Sequence, residues 1–160
     1  MYDVLISGGG PVGLGLAIEL GRRGRSVAVV ERHDTPPRIP KGQNLTQRTM
    51  EHMRAWGVED AIRAAKTIPK GVGLGGLTAY GSLLSGYHFD WFKRASVARF
   101  YAAANERLPQ YATEAVLRDR VCDLPGVEML TGWTTSEVSQ TADHASLTAR
   151  SGYEIRVLQG

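Results

Sequence analysis

Gly8, Gly10 and Gly13 stand at the spacing G-x-G-x-x-G in "ISGGGPVG", and an acid, Glu31, follows about 20 residues later. Glycines at this spacing have separate jobs. Gly8 permits a tight turn, Gly10 lets a pyrophosphate approach the backbone, and Gly13 lets a helix pack closely on a sheet. Pro11 and Val12 fall at the start of that helix, whose unpaired N–H groups and partial positive charge suit a diphosphate. Glu31, with Arg32 beside it, is placed to accept hydrogen bonds from a ribose diol. Residues of these types at this spacing grip an adenine dinucleotide.

The reading holds only if the glycines lie between a strand and a helix. "DVLIS", residues 3–7, is short and largely apolar, as a strand of a parallel sheet should be. From Val12 to Arg23 the residues Leu14, Ala17, Ile18 and Leu20 recur at helical spacing, with Gly24 as the stop. "SVAVVE", residues 26–31, is β-branched and reads as a second strand. Strand, glycine turn, helix and strand make a βαβ unit, a motif that is almost always right-handed.

Beyond Arg32 comes a proline-bearing loop, and then "LTQRTMEHMRAWG" reads as a helix from its apolar Leu45, Met50, Met53 and Trp56, with Gly57 as its stop. A second short helical stretch follows over roughly 58–66. "GVGLGGLTAYGSLLSGYHFDWF" reads as antiparallel strands with turns, and "PQYATEAVLRDRVCDL" returns to helix. Residues 126–158 suggest several short antiparallel strands, with turns near Ala142–Asp143 and Ser151–Gly152. A NAD-binding dehydrogenase domain would instead continue as a regular alternation of helices and strands.

Composition excludes several function classes. A chain of 160 residues can bury one real core, and its 42% hydrophobic and 22% charged residues are ordinary for a soluble globular protein. The net charge of +3 is scattered, the longest basic cluster (Arg22, Arg23, Arg25) marking a helix end, so nucleic acid is not an expected partner. The single cysteine, Cys122, rules out an internal disulfide framework and a cysteine-based zinc site; it is expected as a small core residue in a reducing, cytoplasmic protein. His33, His52, His88 and His144 are too dispersed for a metal, and no HExxH occurs. Ser7 is no nucleophile elbow, because GxSxG is absent. The apolar run over residues 4–20 is broken by glycines and lacks a basic flank, and no stretch of about 20 apolar residues exists to cross a bilayer, so no membrane association is expected.

The glycine pattern extended by Ala17, Leu20, Gly24, Val27, Val29 and Glu31 resembles the dinucleotide fingerprint of FAD proteins of the glutathione-reductase type. "PKGQNLTQRTMEHMRAWG" followed by "LPQYATEAVLRDRV" resembles the class A flavoprotein aromatic hydroxylases, the para-hydroxybenzoate and phenol hydroxylase group. The resemblance covers essentially the whole chain. It implies an α/β, Rossmann-like FAD-binding fold: a parallel sheet with an antiparallel β-meander and the start of a substrate-domain sheet. Residues 1–160 would be the N-terminal part of the FAD-binding domain, with roughly 70–101 as an inserted strand-rich segment of the substrate domain.

The resemblance also implies roles. Gly8, Gly10 and Gly13 would cradle the FAD diphosphate, and Glu31 would hold the adenosine ribose. Lys41 aligns where the family usually carries an arginine on the diphosphate; lysine keeps the charge but loses the bidentate fork. Gln43 and Asn44 would run beside the isoalloxazine, and Gln110 would contact the cofactor from a helix start. Arg118, two turns along, faces either the same cleft or solvent. For Lys41 and Gln110 the residues alone leave a plain surface role open. Tyr80, Tyr87, Phe89, Trp91, Phe92, Phe100 and Tyr101 either line an aromatic-substrate pocket or form core.

The activity implied is hydroxylation of a small aromatic or phenolic substrate with O2 and NADH or NADPH; no catalytic residue is identified. The family's later Asp-Gly and Gly-Asp motifs have no counterpart, since neither "DG" nor "GD" occurs. The chain is therefore expected to be an N-terminal portion whose partner is the rest of the same enzyme, needed to cover sheet edges and apolar surface. Two alternatives stand beside this reading: an FAD oxidoreductase acting on a non-aromatic substrate, and a non-catalytic nucleotide-binding fragment.

Overall fold

Val27, Ala28, Val29 and Val30 are all buried, as the unbroken apolar run of a strand covered on both faces requires. The computed structural model of the chain describes residues 1–39, 41–67, 76–90 and 94–160. In chain order these form β1 (Val4–Ser7), α1 (Pro11–Gly21), β2 (Val27–Glu31), β3 (Asn44–Leu45), α2 (Gln47–Ala55), α3 (Glu59–Ala64), β4 (Leu77–Ala79) and β5 (His88–Asp90). Then follow α4 (Arg94–Val97), a 3₁₀ turn (Ala98–Phe100), β6 (Glu106–Arg107), α5 (Gln110–Cys122), β7 (Val127–Thr131), β8 (Thr134–Gln140), β9 (Ala145–Ser151) and β10 (Glu154–Gln159). They divide into two compact units, Met1–Gly42 with Pro109–Gly160, and Gln43–Leu108.

The first unit is built in layers. β1, β2 and β7 make a three-stranded sheet in the order β1-β2-β7, with both pairings parallel. Successive side chains of β2 point to opposite faces. Ala28 and Val30 join Leu130, Trp133, Leu147, Ala149 and Leu158 in a buried cluster, with Tyr2 and Leu5 packed against it. That cluster lies between the parallel sheet and the antiparallel meander of β8, β9 and β10. By alternation Val27 and Val29 point to the other face, where α1 and α5 pack on the strands and on each other. Complete burial of such a valine stabilises the fold by about 1.5–3 kcal/mol before chain entropy is counted.

Two glycines make the βαβ corner possible. Gly8 leaves β1 at φ +109°, a conformation L side chains rarely adopt. A Cβ on Gly13 would lie 2.0 Å from the carbonyl oxygen of Gly8 and 3.3 Å from Cγ2 of Ile6, so only a bare α-carbon allows the helix to start this close to the strand.

In the second unit, Asn44–Leu45 pairs antiparallel with Glu106–Arg107, and Leu77–Ala79 pairs antiparallel with His88–Asp90. Thr46 caps α2, its side chain accepting the Thr49 N–H at 3.2 Å. Met50, Met53, Val58 and Ile62 supply the buried apolar face of α2 and α3. The carboxylate of Glu59 joins Arg54 and Arg63, and that of Glu106 joins Arg63 and Lys66.

Several sequence-based expectations change. Val127–Thr131 pairs parallel with β2 and belongs to the nucleotide-type sheet, so only the three strands after it are antiparallel. Leu45 lies in β3, one residue before the cap of α2, and not in the helix. Cys122 is exposed at the end of α5, because the buried face of that helix runs through Thr113, Glu114, Leu117, Arg118 and Val121. Tyr80, Tyr87, Phe89, Phe100 and Tyr101 are all exposed and are not core. Trp91, Phe92 and residues 70–75 lie outside the described residues.

Candidate functional site

The C-terminal ends of β1 and β2 and the start of α1 meet at a cleft of about 280 Å³ in the first unit. Gly8, Gly10, Glu31, Arg32, His33, Lys41, Gln110 and Glu114 are among its lining residues. A second hollow of about 240 Å³ shares Gly8, Glu31 and Arg32 with the first and is closed by Ser7, Trp133, Thr134 and Thr135. Glu31 therefore stands on the wall common to both.

α1 begins without a side-chain cap: Gly10 is its N-cap residue and Pro11, which has no N–H, its first helical residue. The N–H groups of the first turn have no intrahelical partner, and their partial positive charge opens toward the cleft. Val12 is exposed in that turn. No described atom lies within 4 Å of where a Cβ on Gly10 would sit, so the protein's own packing does not demand a glycine there. The bare backbone at Gly10 leaves room for a ligand. Lys41 and Arg32 add two exposed cations to the same wall. An uncapped helix start and two cations, beside a bare α-carbon that leaves room, are groups chemically suited to a diphosphate.

Glu31 is buried, and both of its carboxylate oxygens are held by backbone donors. The Gly9 N–H donates to Oε2 at 2.7 Å, and the His33 N–H to Oε1 at 2.8 Å. Each oxygen keeps a lone pair for a hydroxyl donor. Across the cleft, the Gln110 N–H donates to the Gly42 carbonyl at 2.9 Å and its Nε2 donates to Glu114 Oε1 at 2.7 Å. Glu114 is itself buried. The Glu114 carboxyl oxygen accepts from the Gln110 NH₂ group and so fixes the amide, which turns the carbonyl oxygen of Gln110 away from Glu114.

The remaining candidates lie elsewhere. Arg118 neither lines this cleft nor faces solvent; it is buried, and Nη1 donates to the carbonyls of Asp34 and His33. Gln43 and Asn44 belong to the second unit, where the Gln43 carbonyl accepts the Leu108 N–H at 2.8 Å and Asn44 Oδ1 accepts from Arg107 Nε at 3.1 Å. The sequence does not single out Glu114 or Trp133, and it offers His33 only as a histidine too isolated to bind a metal. Gln110 and Glu114 stand four apart on a helix, a spacing that brings their side chains together. Among the described residues, no group of three or more His, Cys, Asp or Glu is placed to hold a metal, and no helix is long and apolar enough to cross a membrane.

Comparison with known proteins finds relatives over most of this chain. Rifampicin monooxygenase of Streptomyces venezuelae is 31% identical over 157 residues, covering 98% of this chain and 30% of that protein. A probable NADH-specific resorcinol 4-hydroxylase of Rhodococcus jostii is 31% identical over 138 residues, covering 86% of this chain and 25% of that protein. The crystal structure of the flavin-dependent monooxygenase PieE in complex with FAD and substrate superposes with a TM-score of 0.84 at 23% identity, covering 99% of this chain and 29% of that one. The chain thus spans between a quarter and a third of the length of these relatives. The FAD binding domain family matches residues 1–156, and this chain belongs to it.

Proposed function

We propose that this chain supplies the adenosine-diphosphate half of the FAD site in an NAD(P)H-dependent monooxygenase that hydroxylates a small aromatic or phenolic compound. The observation that carries the reading is the uncapped start of α1 at Gly10, open to a cleft that also holds Glu31, Lys41 and Gln110. Gly8, Gly10, Pro11, Val12 and Gly13 form the diphosphate cradle, and Lys41 and Arg32 balance its charge. Glu31 accepts the ribose hydroxyls. Gln110, oriented by Glu114, offers its amide oxygen to a hydroxyl of the cofactor. Gln43 and Asn44 are assigned to the flavin side.

With FAD in place, the chemistry supplied is two-electron reduction by NADH or NADPH and insertion of one atom of O2 into an aromatic C–H bond, the other atom leaving as water. This chain's own contribution is binding and orientation: a fixed array of backbone donors holds the diphosphate, and a preset carboxylate holds the ribose. The names of the relatives, a rifampicin monooxygenase and a resorcinol hydroxylase, support the aromatic substrate class. We assign the nicotinamide and substrate contacts to the greater part of those relatives' length that this chain does not match, and residues 70–101 to the substrate side. The dependence on NAD(P)H and the single cysteine support a cytoplasmic location.

The test is incubation of the monooxygenase that contains this chain with FAD, NADH or NADPH, and a panel of phenols under isotopically heavy O2. Nicotinamide oxidation that depends on the phenol, with one heavy oxygen in the product, supports the proposal. Oxidation of the nicotinamide with no labelled product from any aromatic compound overturns the hydroxylase assignment.

A further inference from the structure

Arg118 is a buried cation whose hydrogen bonds among the described residues go to main-chain oxygens. Its residue is 8% exposed, and Nη1 donates to the carbonyl of Asp34 at 2.8 Å and that of His33 at 3.3 Å. Its Nε is buried without a hydrogen-bond partner among the described residues. Burying a guanidinium with one N–H unsatisfied is unfavourable, so the structure tolerates a penalty to hold two carbonyls of a loop at the end of β2.

That loop sets the geometry of Glu31. The His33 N–H donates to Glu31 Oε1 at 2.8 Å, and the same residue's carbonyl is gripped by Arg118. The other oxygen of Glu31 is fixed from the glycine turn by the Gly9 N–H at 2.7 Å. The carboxylate is thus aimed by two backbone donors, and one of them belongs to a residue that α5 pins in place through Arg118.

We infer that Arg118 is a positioning residue for Glu31: it holds His33 and Asp34 so that the His33 N–H orients the carboxylate toward the ligand's ribose hydroxyls. It touches no ligand itself. The inference rests on the proposal that Glu31 accepts a ribose diol, and it adds the device that sets that acid's direction.

The experiment compares ADP with 2′,3′-dideoxy-ADP by calorimetric titration of the protein and of its R118M and R118K variants. The unmodified protein should prefer ADP by about 10-fold or more, the scale of one hydrogen bond to a charged group. In R118M that preference should shrink to about 3-fold or less as the carboxylate loses its aim, while R118K, which retains a donor and the charge, should fall between the two. A tether that only stabilised the fold would weaken both ligands equally. An unchanged ratio in R118M therefore overturns the inference. If R118M does not fold, R118K carries the test: a reduced ratio supports the inference and an unchanged ratio overturns it. Equal binding of the two ligands by the unmodified protein would overturn the ribose role of Glu31, and the positioning role with it, a result distinct from loss of Arg118's effect alone.

Discussion

Replacing Gly13 with alanine puts a methyl carbon 2.0 Å from the Gly8 carbonyl oxygen, a fixed backbone atom at the mouth of the turn. Ordinary carbon–oxygen contact needs more than about 3 Å, so the start of α1 must move away from β1 by on the order of 1 Å. Forced shifts of this kind destabilise by about 1–3 kcal/mol, offset in part by about 1 kcal/mol of better helix propensity. Replacing Gly10 with alanine differs in kind, since no described atom lies within 4 Å of the new methyl. Its effect on the ligand-free fold is limited to a poorer N-cap, at most about 1 kcal/mol. Its effect on a bound diphosphate is direct, because the methyl occupies the space that the backbone leaves open. Urea unfolding without ligand and FAD titration separate the two positions. G13A should lower the unfolding midpoint; G10A should leave it nearly unchanged yet weaken FAD by about 10-fold or more, the equivalent of about 1.4 kcal/mol. Undiminished FAD affinity in G10A would refute the assignment of that space to the ligand, and undiminished stability in G13A would refute the packing argument.

Glu31→Ala leaves the Gly9 and His33 N–H groups without their acceptor, and FAD affinity measured by titration should fall by about 10-fold or more. Thr113 carries a buried hydroxyl with no hydrogen-bond partner among the described residues, so Thr113→Val should raise the unfolding midpoint or leave it unchanged in a thermal melt. Burial pushes the Glu106 carboxyl up, but the Lys66 ammonium, the Arg107 N–H and the Arg63 guanidinium outweigh it and hold the carboxyl below its ordinary value. A depressed carboxyl gives stability that is present above its unfolded value near pH 4.3 and lost as pH falls through the folded value. Urea midpoints taken downward from about pH 6 should therefore drop in the acid range, and Glu106→Gln should flatten that drop.

What the sequence made legible was local. β1, the glycine turn, α1 and β2 lie within one short stretch, and turn chemistry, helical spacing and a β-branched run all agree there. The pairing of β7 was not legible. It lies at one edge of its sheet, four of its five residues are at least partly exposed, and its alternation looks like that of an antiparallel strand. Only the packing of α5 against β7 and of β7 against β2 brings it parallel. The sequence pattern misplaces Cys122 because the buried stripe of α5 includes Thr113, Glu114 and Arg118, which disguise its inner face as polar. Arg118 was open to two readings for the same reason: its partners are main-chain carbonyls of a distant loop, and no side-chain pattern encodes them. Glu114 could have been found from its spacing to Gln110, but its burial beside the cleft is a property of the fold.

The most direct test of the account is competition for FAD binding by the two halves of the cofactor. FAD is titrated into the protein, and saturating ADP or FMN is then added in separate experiments. The account predicts that FAD binds, that ADP displaces it, and that FMN displaces it far less, because the described cleft is built for the diphosphate and the adenosine ribose. Displacement by FMN with no effect of ADP would contradict the assignment of Gly10, Glu31 and Lys41 to the adenosine-diphosphate half.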